Sequence, residues 1–169
     1  MTGRRRIGWI TGWTVLAVLV LGSAGLLIRA GQLTGTAAAK NRALTDSAAT
    51  STVTGAVSDT LTRIFSYSPK STDTTEAAAA DRLDGKAKKQ YTDLFAQVKQ
   101  RVAEQKLTLT THVVRAGAVR LEDGEATVLV FLDQVTERTG AEPTSVAAQL
   151  SVTAKEHDGQ WLITDMKSR

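Results

Sequence analysis

The stretch Lys86–Val113, KAKKQYTDLFAQVKQRVAEQKLTLTTHV, decides the fold, because the apolar period changes inside it. Ala87, Tyr91, Leu94, Phe95, Val98 and Val102 recur at three- and four-residue spacing and make one face of a helix over about 86–105. The other face carries Lys88, Lys89, Asp93, Lys99, Arg101 and Glu104. Such a mixed set is ordinarily a solvated surface, so Lys88 and Lys89 read as wet helix positions before they read as phosphate contacts. From Leu107 the period is two: Leu107, Leu109, Thr111 and Val113 alternate as a strand does.

Working downstream, Gly117, Val119 and Leu121 predict a second strand, and Glu122-Asp123-Gly124-Glu125 carries the Asp-Gly hairpin signal. Val128, Val130 and Leu132 share one face of the next strand, with Leu129 and Phe131 on the other. Apolar residues on both faces predict a central strand covered on both sides. Thr139–Thr144, with Gly140 and Pro143, reads as a turn. Val146, Ala148, Leu150, Val152 and Ala154 alternate after it; Asp158-Gly159 marks another hairpin, and Gln160–Lys167 a last strand.

Upstream, Leu44, Ala48, Val53, Val57, Leu61, Ile64 and Phe65 predict a first amphipathic helix, which Ser66–Thr72 with Pro69 ends. Gly55 and many threonines weaken it locally. Asp73 and Glu76 have capping-box spacing for a short second helix, with Gly85 as its C-cap. Three helices followed by a meandering antiparallel sheet give an α+β fold.

Further out lies Ile7–Ile28, IGWITGWTVLAVLVLGSAGLLI, a run with no charged residue. As a helix it rises about 33 Å, enough for a hydrocarbon core of about 30 Å. It reads as a single transmembrane helix. A cleaved signal peptide is the competing reading, but its apolar region would be shorter and Ala37 and Ala39 lie too far beyond Ile28. Arg4, Arg5 and Arg6 precede the span and only Arg29 follows closely, so the N-terminus is expected in the cytoplasm. The expected layout is a cytoplasmic tail over 1–6, the span over 7–28, a juxtamembrane stalk over 29–43 and an extracytoplasmic domain over 44–169. Gly8 and Gly12 form a GxxxG pair that admits close approach of another helix.

The net charge of +4 belongs to that membrane flank. Four of the 21 basic residues lie in residues 1–29, which hold no acid, leaving 17 basic against 17 acidic residues in the rest. A neutral body argues against nucleic acid as a partner. Cysteine is absent, which excludes disulfides, thiolate metal sites and a cysteine nucleophile. His112 and His157 lack the spacing of a metal pair, and no nucleophile elbow, phosphate loop or zinc-protease motif is present. No catalytic residue, metal or cofactor is expected. The candidates that remain are for a partner or a pocket: Phe65 and Tyr67, which plug the core or line a cavity; Phe131; Asp133, a general base or the point where a strand leaves the core; and Gln134, which hydrogen-bonds the sheet or a neighbour.

Helices first and sheet last, with the closing Asp158-Gly159-Gln160-Trp161-Leu162-Ile163, resembles the cone-shaped nuclear-transport-factor-2-like fold. Ile64-Phe65-Ser66-Tyr67, Tyr91–Leu109 and Leu129-Val130-Phe131-Leu132-Asp133-Gln134, with the short basic tail and single anchor, are similar to the Mce-associated (mammalian cell entry-associated) membrane proteins of actinobacteria. That resemblance implies a non-catalytic accessory or scaffold subunit of an Mce-type ABC lipid or sterol importer. Its partners would be the membrane, the permease, Mce subunits, other Mce-associated proteins and lipid. It hands over no catalytic residues. Three other readings share the same plan: a lipid-binding module, a secretion or conjugation scaffold of the VirB8 type, and a small-molecule isomerase that would depend on Asp133.

Overall fold

The computed structural model describes residues 40–169; the tail, the span with Gly8 and Gly12, and stalk residues 29–39 lie outside the described residues. Among those described, no helix is long and apolar enough to cross a membrane. Helices α1 (Ser47–Ile64), α2 (Thr72–Arg82) and α3 (Gly85–Gln105) precede strands β1 (Thr108–Glu122), β2 (Glu125–Arg138), β3 (Ala141–His157) and β4 (Gln160–Ser168). The sheet order is β1-β2-β3-β4, every neighbouring pair antiparallel. This is the α+β arrangement that the change of period predicts.

Helix α1 starts where Asp46 Oδ1 accepts from the Ala49 N–H at 2.9 Å. It buries Val53, Val57, Thr60, Leu61 and Ile64. Leu44 falls before the cap and is 94% exposed, so it is not part of the stripe; Ala43 is buried instead. The segment before α1 is fastened to β1. Asn41 Oδ1 accepts from Leu121 N–H at 2.9 Å, its Nδ2 donates to Val119 C=O at 2.9 Å, and Arg42 N–H donates to Leu121 C=O at 2.8 Å. The threonines are accommodated because Thr52 and Thr54 donate to carbonyls four residues back, at 3.0 and 2.8 Å. Gly55 is exposed and a Cβ there would meet nothing within 4 Å. Gly55→Ala should therefore stabilise the domain by about 1 kcal/mol, read as a rise in the thermal midpoint.

Helix α2 does not use the expected capping box. It starts one residue earlier, and Asp73 and Glu76 both accept from Lys99 Nζ on α3, at 2.7 and 2.9 Å. Nor does Gly85 cap it. Leu83 leaves the helix extended and forms a parallel bridge with Ile163, while Gly85 opens α3 at φ +52, a value that favours glycine. Helix α3 buries Ala87, Tyr91, Phe95 and Val102, but Leu94 stands on the flank of that face and is 56% exposed.

The two strands expected over 107–121 are one. β1 runs for 15 residues and is interrupted by bulges between Val113 and Arg115 and between Ala118 and Arg120. Each bulge inserts a residue and shifts the inward phase by one. Thr111 and Val113 point inward, then Ala116 and Ala118, then Leu121, which leaves Val114 and Val119 exposed. β2 is central in the sheet, as its sequence predicts. It buries Ala126, Val128, Val130 and Leu132 under the helices, but no described residues form a layer over its other face: Leu129 is half-buried and Phe131 is 41% exposed.

β3 begins at Ala141, so Pro143 lies in the strand and not in a turn. Gln149 C=O accepts from Arg169 N–H at 3.0 Å, and alternation turns residues 147 and 145 toward that same side, while Glu142 and Pro143 fall in the register shift between Thr136 and Arg138. β4 ends opposite Leu150, so this edge has no strand partner among the described residues. Pro143 thus sits where its missing N–H costs no ladder bond, and with Glu142 it blunts a bare edge. Both Asp-Gly turns form as predicted, with φ of 48 and 72 at Asp123-Gly124 and 49 and 76 at Asp158-Gly159.

Candidate functional site

The five candidate residues divide between the two faces of the sheet. Phe65, Tyr67 and Gln134 lie on the helix-covered side, in a network that joins α1, α3, β1 and β2. Past α1 the chain pairs with β1: Tyr67 N–H donates to Leu109 C=O and Leu109 N–H to Tyr67 C=O, both at 2.9 Å. Thr111, fully buried, donates through Oγ1 to Phe65 C=O at 2.7 Å and accepts from Gln134 Nε2 at 3.0 Å. Its N–H donates to Ser66 Oγ at 2.9 Å. Tyr91 Oη donates to Ile64 C=O at 2.7 Å.

Four rings fill the space around these bonds. Phe65 and Tyr91 have centroids 6.1 Å apart, Tyr91 stacks on Phe95 at 5.1 Å, and Tyr67 meets Phe95 edge-on at 5.7 Å. Burial raises the pKa of both Tyr67 and Tyr91; for Tyr91 the nearby Tyr67 and Glu76 add to it. Phe65 therefore plugs the junction of helix and sheet, Tyr67 packs on that junction and also lines a cleft beside the C-terminal half of α3, and Gln134 bonds within the network. Thr111, which ties the network together, is the residue that sequence reasoning passed over. Its signal was a polar residue on an otherwise apolar strand face.

Phe131 and Asp133 lie on the opposite, outer face. Phe131 is flanked in register by Arg115 on β1 and Gln149 on β3, and Leu129 by Gly117 and Ser151. Asp133 Oδ1 accepts from Ser145 Oγ. A general base inside the cone needs a carboxylate under the helices, and Asp133 is not there. His112 and His157 are both exposed, His157 lying 3.3 Å from Asp158. Among the described residues no three His, Cys, Asp or Glu side chains gather to hold a metal ion.

The charged groups are mostly structural. Asp165, half-buried on β4, lies 3.4 Å from Lys86 Nζ and 3.2 Å from Lys167 Nζ. Burial pushes its carboxyl up, but the two ammonium groups outweigh that and hold it below the usual carboxylate range. The Ala49 N–H, and then Arg42, hold Asp46 down as well. A carboxylate with a depressed folded pKa contributes stability that is complete above its unfolded value, about 3.9, and is lost as pH falls through the folded value. Thermal melts taken from neutral pH into acid should show that loss. Asp46→Asn with Asp165→Asn should flatten it; an unchanged acid slope would count against both assignments.

No family model matches the chain. Two proteins of Mycobacterium tuberculosis (strain H37Rv) are similar to it in sequence. The uncharacterized protein Rv1362c is 38% identical over 122 residues, which take in 71% of this chain and 56% of that protein, so the chain spans about half the length of that relative. The outer membrane protein Rv1973 is 30% identical over 113 residues, 66% of this chain and 71% of that protein. Among solved structures, an IcmL-like type IV secretion system protein of Legionella pneumophila aligns with a TM-score of 0.61 at 9% identity, over 70% of this chain and 91% of that one. The periplasmic domain of DotI gives 0.59 at 13% identity, over 70% and 94%. The VirB8 protein of Agrobacterium tumefaciens gives 0.58 at 9% identity, over 69% and 89%. At such identities the likeness is one of fold: three helices on a four-stranded antiparallel sheet, the nuclear-transport-factor-2-like architecture of VirB8. On the coverage and identity of the second relative, the chain belongs to the same family as the Mycobacterium tuberculosis protein Rv1973.

Proposed function

We propose that the chain is a non-catalytic scaffold subunit of a cell-envelope complex. Residues 7–28 anchor it in the cytoplasmic membrane with residues 1–6 inside, and the VirB8-like domain docks partners on the periplasmic side. The observation that carries this reading is the open outer face of β2, where a central strand leaves Phe131 and Leu129 without full cover from the described residues. Anchoring raises the effective concentration of that surface for partners in the same membrane. The complex we assign it to is an Mce-type ABC lipid importer, on the resemblance of the Ile64–Tyr67, Tyr91–Leu109 and Leu129–Gln134 stretches. The permease, Mce subunits and other Mce-associated proteins are the partners, with lipid as the cargo. The likeness to type IV secretion system proteins favours a second reading, a secretion or conjugation scaffold.

Tagged full-length protein, purified in mild detergent from a mycobacterial host, should bring down the permease and Mce subunits. Secretion ATPases in their place would select the second reading, and recovery of the chain alone would defeat both. Phe131→Glu should leave the thermal midpoint within the range of about 0.5 kcal/mol expected at the surface, while sharply reducing co-purified partner. Undiminished recovery would remove the outer face from the docking surface.

A further inference from the structure

We propose that the cleft between the C-terminal half of α3 and the sheet end at Leu107 and Arg138 receives an acidic, aliphatic segment of a partner protein. The inference rests on the scaffold reading and names the chemistry of one docking site. The cleft has a volume of about 420 Å³ and is open along one side. Tyr67, Val98, Val102, Gln105 and Leu107 line it together with the exposed Arg101 and Arg138. None of its lining residues is a carboxylate.

What singles it out is that two arginines without a carboxylate meet at one cleft; Arg115 and Arg169 also lack an ion-pair partner among the described residues but do not line it. Arg42, Arg63, Arg82, Lys99 and Arg120 each hold a carboxylate, but neither Arg101 nor Arg138 has an ion-pair partner among the described residues. The nearest acid on α3, Glu104, accepts from Gln100 Nε2 at 2.8 Å. Tyr67 Oη likewise has no hydrogen-bond partner among the described residues, although desolvation raises its pKa. Two planar guanidinium forks and a phenol beside Val98, Val102 and Leu107 form a complementary site for a carboxylate carried beside an aliphatic side chain. Arginine and tyrosine are also the residue types that dominate protein docking sites.

The open side decides between a protein and a lipid. A small-molecule site buries most of its ligand, about 70–90% of the surface, and an acyl chain laid here would stay wet along its length. A peptide needs no such enclosure, because its backbone is content in water.

The test uses the full-length chain in mild detergent and a phage-displayed library of random dodecapeptides. Selection should enrich Asp or Glu next to Leu, Ile or Val. A synthetic peptide of the selected sequence should bind the Arg101→Glu/Arg138→Glu protein about tenfold or more weakly, and should weaken with salt. The same reversed protein should instead select Lys- or Arg-bearing peptides. Both arginines are exposed, so the variant's thermal midpoint checks that the fold is intact. Selected peptides without acids, or binding unaffected by charge reversal, overturns the proposal. So does displacement of the peptide by oleate bound in the same cleft, which would make it a lipid site. If the charge-reversed protein still brings down its full complex, the cleft assignment fails while the scaffold reading stands; if the wild type brings down nothing, the scaffold reading itself fails.

Discussion

Phe95→Ala lowers the stability of the α+β domain by about 3–5 kcal/mol, the cost of deleting a large buried ring whose cavity cannot collapse. Phe95 is almost fully buried on α3, between Tyr91, stacked at 5.1 Å, and Tyr67, edge-on at 5.7 Å. Tyr91 in turn meets Phe65 and donates to Ile64 C=O, so the ring in the middle supports the end of α1 as well as its own helix. The backbone around it is already committed to the Tyr67–Leu109 bridge, which limits how far the site can relax. Phe95→Leu keeps most of the volume and should cost clearly less. The check is chemical denaturation followed by circular dichroism. A loss below about 1 kcal/mol for Phe95→Ala would mean that α3 is not packed as described.

Thr111→Val removes a hydroxyl and keeps the shape. Thr111 is fully buried, and its Oγ1 serves two partners, Phe65 C=O at 2.7 Å and Gln134 Nε2 at 3.0 Å. Valine leaves both without a bond in a region sealed by aromatic rings. An orphaned buried polar group costs about 1–3 kcal/mol. Gln134 can turn toward solvent, since it is only half-buried; Phe65 C=O cannot, because it terminates α1. We expect a loss of about 2 kcal/mol for Thr111→Val. Thr111→Ser retains the hydroxyl and loses one methyl, about 0.8 kcal/mol. The order of the two variants is the informative result: valine tolerated as well as serine would sink the hydrogen-bond account.

The sequence predicted the elements better than the faces. The change of period at Leu107, the two Asp-Gly hairpins and the helix over 86–105 all depend on local spacing, and all three are present. What local spacing does not carry is a bulge. Each of the two in β1 adds a residue without leaving a composition signal, and each inverts the inward phase beyond it, so Val119 was placed inward and is exposed. Asp73 and Glu76 had capping-box spacing, but a lysine 26 residues from the first and 23 from the second takes both carboxylates. Leu129 and Phe131 read as buried because a strand with two apolar faces is usually covered twice; the described residues supply a layer on one face only. The same limit hid Arg101 and Arg138, which the fold brings from a helix and a strand to one cleft.

β4 is the last of the four described strands in chain order, and it carries the bolt. Trp161 and Ile163 are buried, Ile163 bridges Leu83, and Asp84 N–H donates to Ile163 C=O at 2.9 Å, so the α2–α3 joint is closed by the strand made after all the others. Until residues 160–168 are in place, the apolar side of α3 lacks its main partner in the sheet. Folding of this domain is therefore a race between completion and aggregation, and the window is set by the time taken to assemble some sixty residues of sheet.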